Sequence, residues 1–249
     1  MINILLCGSE GKMGRAVKNA VEGSDLCIAA CVDPFLKGKE SENAFSSFSD
    51  VKKGYDCIID FSHPSITGDL LSYAKRTKTP AVICTTGLSS EQIAEIQSTA
   101  KEIPIFFSAN MSLGVNLLVE LCKKAALLLG EDFDIEIIEK HHNQKVDAPS
   151  GTALMLANEI NSACDEKYNY VYDRQSQRKK REKTEIGIHA VRGGNIVGEH
   201  EVIFAGRDEC ISLKHSATSK EVFAVGAINA ARFLKDQAAG MYSMKDMIK

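Results

Sequence analysis

The chain lacks a membrane-length apolar run, a Cys-x-x-Cys pair, an internal repeat, a low-complexity linker and a strong net charge of either sign. The missing apolar run excludes a transmembrane helix. Eight cysteines are present, but Cys7, Cys27, Cys31, Cys57 and Cys84 lie in apolar strand-like segments. They read as reduced, buried thiols rather than a disulfide or zinc framework. A formal charge of −3 argues against broad non-specific binding of nucleic acid. Met1-Ile2-Asn3-Ile4 does not read as a signal peptide, so a cytoplasmic location, with no membrane partner, is the expectation. A length of 249 residues at 44% hydrophobic content suits one large core or two modest ones.

What is present begins with Ile2-Asn3-Ile4-Leu5-Leu6-Cys7, a buried-strand pattern that runs into Gly8-Ser9-Glu10-Gly11-Lys12-Met13-Gly14. Glycines at 8, 11 and 14 allow a tight turn, close approach to a pyrophosphate and close helix packing, a GxxGxxG variant of the dinucleotide fingerprint. A second apolar strand, Cys27 to Val32, ends at Asp33, about twenty residues on, where a ribose-binding acid belongs. Asp33 accepts ribose hydroxyls and repels a 2′-phosphate, which favours NADH. Lys37 and Lys39 just beyond, and Lys12 in the turn, are within reach of phosphate charge and keep NADPH open. A solvated loop accounts for the same lysines.

Strands at 55–61 and 80–84 flank a helical stretch from Ser65 to Thr77, Ser89-Ser90-Glu91-Gln92 opens a capped helix, and Ile103 to Phe107 supplies the next strand. This β-α-β order predicts an α/β fold, a Rossmann-like doubly wound parallel sheet whose strand C-termini face the ligand. Those ends carry 60–62, 85–87 and 108–111. A long helix, roughly Gly114 to Leu129, leads into a region without strict alternation. Segments 185–191, 198–204 and 210–215 predict a separate mixed sheet in a smaller α+β domain, and an Ala-rich helix, 221–234, is expected to return to the first. The expected divisions are 1–112 for the dinucleotide, 113–220 for substrate and oligomerisation, and 221–249 for the returning helix. The basic run 174–183 reads as a mobile solvated loop.

The densest chemistry lies at 139–153, EKHHNQKVDAPSGTA, between an apolar strand ending near Ile138 and an amphipathic helix. Ser150 is a good N-cap and Pro149 disfavours helix before it, so the amides of Gly151 and Thr152 open a turn that attracts a carboxylate or phosphate. Lys145 supplies a charged partner. Of His141 and His142, one can exchange a proton near neutral pH while the other, turned the opposite way, binds or orients. Asp147 reads as a turn former bonding nearby backbone amides. Metal ligation by His141, His142 and Asp147 is not expected, because adjacent histidines in an extended loop diverge and no thiolate motif accompanies them.

His141 to Ala153, with Gly11-Lys12-Met13-Gly14, Thr85-Thr86-Gly87, Asn116 and Val191 to His200 in the same order, resembles the 4-hydroxy-tetrahydrodipicolinate (dihydrodipicolinate) reductase family over essentially the whole length. The resemblance implies NAD(P)H-dependent reduction of a cyclic dicarboxylate with loss of water, in lysine and diaminopimelate biosynthesis, by a homotetramer. It implies that His141 is the proton donor or acceptor, that Lys145 is a proton donor and carboxylate partner, and that His142, Gly151 and Thr152 bind substrate. Cofactor contacts implied in the same way are Gly8, Ser9, Glu10, Gly11, Lys12, Met13, Asp33, Cys84, Thr85, Thr86, Ser108, Ala109, Asn110 and Met111. Lys12 stands where the family often has arginine, Pro34 where an arginine reads a 2′-phosphate, and Met111 where phenylalanine is common. Two rivals are another nicotinamide oxidoreductase on this scaffold, which needs a different substrate loop, and a silent nucleotide sensor, which needs neither His141 nor Lys145.

Overall fold

The computed structural model describes residues 1–108 and 110–248. In chain order it forms β1 (Ile2–Cys7), α1 (Lys12–Ala20), β2 (Leu26–Val32), β3 (Ala44–Phe45), β4 (Cys57–Asp60), α2 (Thr67–Thr77), β5 (Ala81–Ile83), α3 (Ser90–Thr99) and β6 (Pro104–Phe107). There follow α4 (Leu113–Leu129), β7 (Asp134–His141), α5 (Gly151–Ala163), β8 (Asn169–Val171), β9 (Glu185–Arg192), β10 (Gly198–Ala205) and β11 (Cys210–Ala217). The chain closes with α6 (Glu221–Leu234), β12 (Gly240–Tyr242) and α7 (Met244–Met247). Two compact units result, Met1–Leu113 with Lys220–Lys249, and Gly114–Ser219.

The first unit holds a parallel sheet in the order β12-β6-β5-β4-β1-β2-β3. Its strands are apolar on both faces, as a sheet covered on both sides requires. Alternation sends Ile4 and Leu6 into a core with Val17, Ala227, Ala231 and Leu234 of α1 and α6. Leu5 and Cys7 point into a second core with Leu70, Leu71, Ala74 and Ile96 of α2 and α3. The helix expected from Ser65 starts as a 3-10 turn over Pro64–Ile66 and becomes α2 at Thr67. Proline fixes its own φ but offers no N–H, which suits a helix entry. The Ser89 hydroxyl accepts the Gln92 N–H at 3.3 Å while the Gln92 side chain accepts the Ser89 N–H at 3.0 Å, so the cap read in the sequence is a full capping box.

The second unit is a mixed sheet in the order β11-β10-β7-β9-β8, with β7, β8 and β9 parallel to one another and β10 antiparallel to both its neighbours, β7 and β11. Ile135 and Ile137 of β7 pack on Leu118, Val119 and Cys122 of α4 and on Ala153, Leu156 and Ile160 of α5. Strand β7 runs three residues further than its apolar segment, to His141, so Glu139, Lys140 and His141 belong to a strand rather than a loop. With a period of two, Glu139 and His141 fall on the buried face that Ile135 and Ile137 begin.

The basic run does not match a freely solvated loop. Arg174 meets Glu136 at 2.5 Å and Glu185 at 2.7 Å, and Arg181 meets Asp134 at 2.7 Å and Glu136 at 3.0 Å. Arg181 also donates to the carbonyls of Ile135 and Glu185. Glu136 can lie across the sheet because its parallel partner is Gly187, where a Cβ would collide with the Glu136 carboxylate.

Helix α6 lies close to the segment before α4. A Cβ on Gly226 would stand 1.7 Å from the Met111 carbonyl oxygen, a backbone atom that cannot swing away. Gly226→Ala is expected to destabilise the first unit by about 1–3 kcal/mol, read as a fall in melting temperature. Gly68→Ala on α2, with open space at its Cβ, is the control. It should leave stability unchanged or raise it by up to about 1 kcal/mol.

Candidate active site

Strand order reverses direction between β1 and β4, and a cleft of about 320 Å³ opens there at the strand C-termini. It is lined by Gly8, Glu10 and Gly11 after β1, Asp33, Pro34 and Phe35 after β2, and Phe61, Ser62, His63, Ser65 and Ile66 after β4. Gly8 has φ +76°, and a Cβ there would lie 2.5 Å from the Phe61 carbonyl oxygen. A Cβ on Gly14 would lie 2.3 Å from the Gly8 carbonyl. Two of the three glycines therefore let backbones touch. Gly11 is different, since a Cβ there would make only an ordinary contact at 3.4 Å, and it caps α1 without a side-chain bond. The open amides of that first turn suit a phosphate.

Asp33 is 4% exposed and accepts the Glu10 N–H at 2.9 Å on one oxygen and the Phe35 N–H at 3.0 Å on the other. Each oxygen keeps lone-pair capacity for a ribose hydroxyl. Glu10 is tied to Lys18 at 3.1 Å, which lowers its carboxyl below the usual range, and Ser9 is fully buried. Lys12, Pro34, Phe35, Lys37, Lys39 and Thr86 are exposed, and Met13 is half-buried against the core. A glycine cradle, an uncapped helix start and a buried acid at the switch point fit a dinucleotide.

Thr85 is buried and donates its hydroxyl to Asp60 at 2.7 Å, while the Ser62 N–H reaches the same carboxylate at 3.0 Å. Burial pushes Asp60 up, and these donors pull against it. The Ser108 hydroxyl donates to the Asn110 carbonyl at 2.8 Å, and the Asn110 side chain accepts the Ser112 N–H at 2.9 Å. Cys84 and Met111 are core side chains, so only their backbones can face a ligand. Ala109 lies outside the described residues.

In the second unit the fully buried Glu139 carboxylate is the hub. It takes both terminal nitrogens of Arg192 at 2.7 Å, the Ser150 N–H at 2.9 Å and His141 Nδ1 at 2.6 Å. Burial raises Glu139, but Arg192, His141 and the Ser150 amide outweigh it and hold the carboxyl below its usual range. The Ser150 hydroxyl accepts the Ala153 N–H at 3.1 Å and lies 2.9 Å from Nε2 of buried His200. The His200 ring meets His141 edge-on, with centroids 5.2 Å apart.

Gly193 N–H to the His141 carbonyl and Asn143 N–H to that of Gly194 tie the loop to the β9–β10 turn. Lys145 is partly buried with its ammonium 2.8 Å from Asp147, so the Asp147 carboxylate pairs with an amine in addition to the backbone hydrogen bond expected of it. The Asp147 carbonyl accepts from Arg192 at 2.7 Å. His142 and Thr152 are half-buried, and Gly151 is exposed with open space beside its Cα. Among the described residues no cluster has the makings of a metal site. Sequence reasoning left Glu139, Arg192 and His200 without roles. The period-two pattern of β7 pointed to Glu139, and Arg192 and His200 sit in the quoted 191–200 segment.

A parallel sheet with a glycine turn and a buried acid at its switch point, and a second unit whose loop gathers imidazole, amine and helix start, fit a nicotinamide-dependent oxidoreductase. Residues 2–111 match the family model for dihydrodipicolinate reductase, N-terminus, and residues 114–248 that for its C-terminus. The 4-hydroxy-tetrahydrodipicolinate reductase of Caldanaerobacter subterraneus subsp. tengcongensis is 50% identical, over 100% of this chain and 99% of the relative. That of Clostridium tetani is 50% identical, over 100% and 97%. A dipicolinate-bound dihydrodipicolinate reductase from Paenisporosarcina sp. TG-14 superposes with TM-score 0.79 at 23% identity, covering 100% of both chains. The chain belongs to the dihydrodipicolinate reductase family. It reduces 4-hydroxy-tetrahydrodipicolinate to tetrahydrodipicolinate, with loss of water and a nicotinamide as reductant, in lysine and diaminopimelate biosynthesis.

His200 gives the second unit an acid-sensitive joint. Burial, with His141 close by, lowers its pKa from 6.5 to about 4. Above pH 6.5 the folded and unfolded states both hold it neutral. Between about 6.5 and 4 only the unfolded chain takes the proton, a cost that grows to roughly 3 kcal/mol and then levels. Thermal melts from pH 7.5 to 4.5 should fall more steeply for the native chain than for His200→Asn.

Proposed function

We propose that the second unit holds the substrate's carboxylates with Gly151, Thr152, His142 and Lys145, and that His141 and Lys145 move the protons. The observation that carries this is one shared carboxylate. Glu139 binds His141 with one oxygen and the amide entering α5 with the other. A proton-handling ring and an anion-attracting helix start are thereby held a single side chain apart. The dipicolinate-bound relative supports a flat cyclic dicarboxylate as ligand. The bound nicotinamide supplies a hydride. Around it, this chain's groups have one further proton to deliver and one water to release. An ammonium at Lys145 neutralises a carboxylate and donates a proton, while the imidazole of His141 takes up and returns one.

Lys145→Ala is expected to lower kcat by about 10²-fold or more and leave the NADH dissociation constant unchanged. The assay uses substrate made freshly from pyruvate and aspartate semialdehyde. Full turnover in that variant would remove Lys145 from the mechanism.

In the first unit we assign the cofactor to Gly8, Ser9, Glu10, Gly11, Lys12, Met13, Asp33, Thr85, Thr86, Ser108 and Asn110, with Cys84 and Met111 offering backbone only. Ala109 stays in that set on sequence grounds. NADH is the preferred form, because a buried Asp33 carboxylate repels a 2′-phosphate and Pro34 beside it has no donor. Lys37 and Lys39 are exposed cations with reach, so NADPH remains usable. The expected kcat/KM ratio is about tenfold or more in favour of NADH, a difference of about 1.4 kcal/mol. A ratio favouring NADPH would hand the decision to the lysines.

The assembly we propose is a homotetramer, supported by β11, an edge strand with no outer partner among the described residues. Light scattering giving a monomer mass would exclude it. Eight free thiols support a reducing, cytoplasmic setting. No described helix is long and apolar enough to cross a membrane.

A further inference from the structure

Arg192 gives Glu139 a two-pronged hydrogen bond and also reaches the Asp147 carbonyl at 2.7 Å and that of Val191 at 2.8 Å. If Glu139 only balanced the half-buried Arg192, those two bonds and the Ser150 N–H would meet its charge, and it would need nothing from an imidazole. Instead the carboxylate has a third partner in His141 Nδ1 at 2.6 Å. An ionised carboxylate can only accept, so the hydrogen lies on Nδ1 and Nε2 is the atom left to exchange. The far side of the ring is shaped to match, because Nε2 lies beside Gly198, where a Cβ would come within 3.1 Å of it.

We propose that Glu139, braced by Arg192, is the positioning residue of the reaction: it fixes the His141 tautomer and ring plane so that the protons His141 handles pass through Nε2. This rests on His141 being the proton-handling group. Glu139 itself does not touch substrate; its part in proton transfer is exerted through that ring, while its other oxygen holds the Ser150 N–H at the entrance to α5. Glu139 on its own strand and His200 on β10 meet the His141 ring, Arg192 on β9 meets Glu139, and His200 in turn feels the charges of His215 on β11 and of Lys145, which is paired with Asp147 in the loop. Glu139 is the one carboxylate among them in contact with the ring. Replacing it with a neutral amide of the same shape removes the carboxylate that fixes the hydrogen on Nδ1 and lets the ring turn over.

The test is a kcat/KM pH profile with Glu139→Gln, Glu139→Asp, His141→Asn and the double variant Glu139→Gln/His141→Asn. Glu139→Gln is expected to lower kcat by about 10–100-fold and to displace the acid limb to lower pH, with the NADH dissociation constant unchanged. Glu139→Asp keeps the charge and should keep the position of that limb at reduced kcat. In the double variant, Glu139→Gln should add no loss to that of His141→Asn, because the two act as one unit.

An unmoved limb in Glu139→Gln, or a further loss in the double variant, would overturn the proposal and leave Glu139 a structural ion pair. If Glu139→Gln does not fold, Glu139→Asp decides, and a limb displaced despite the retained charge would count against it. Full turnover in His141→Asn would overturn the underlying assignment instead. A dead His141→Asn beside an unmoved Glu139→Gln limb would overturn this proposal alone.

Discussion

A charge with no exposure to water must be met on every side, and Glu139 imposes that constraint on the second unit. Stripping an ionised carboxylate of solvent costs several kcal/mol unless donors replace the water. Here the donors come from the end of β9, the end of β7 and the entrance to α5. Meeting the charge therefore places the arginine, the imidazole and the helix start at fixed positions around one point. The same arginine reaches the Asp147 carbonyl, so the intervening loop is anchored near both ends by a demand that starts with a single side chain.

The first unit solves a different problem, bringing main chain against main chain. Gly8 against Phe61 and Gly14 against Gly8 leave no room for a methyl group. The turn after β1, the start of α1 and the end of β4 are consequently set by backbone contact alone. Asp33 and Asp60 then pin neighbouring loops by accepting amide hydrogens. A crevice made this way presents main-chain groups, which suit phosphates and amides, with the carboxylate of Asp33 set among them.

Much of this was legible in the sequence wherever a local rule applied. Continuous apolar segments marked β1, β2, β4, β5 and β6, the spacing of Ser89 and Gln92 marked a capping box, and glycines 8 and 14 marked the turn. Strands β3, β8 and β12, of two or three residues, carry no period to detect. Glu139 was hidden by its own charge, since a carboxylate at an apolar position reads as the end of a strand. Arg174 and Arg181 read as solvent-exposed because their acidic partners, Asp134 and Glu136, lie about forty residues away in sequence, beyond the reach of any helical or strand spacing rule. Arg192 and His200 stood in a recognisable segment, yet only tertiary structure brings them to Glu139 and Ser150.

The Lys145–Asp147 pair means that the loop carries its own rival for any anion Lys145 is to hold. An incoming carboxylate must displace one already seated 2.8 Å away, so a ligand with a single negative group merely exchanges one partner for another of equal charge. A ligand with two gains a second point of attachment that the resident aspartate has no means to match. On the proposed assignment of Lys145, an internal competitor of this kind would weaken binding of single-charge acids more than that of acids carrying two.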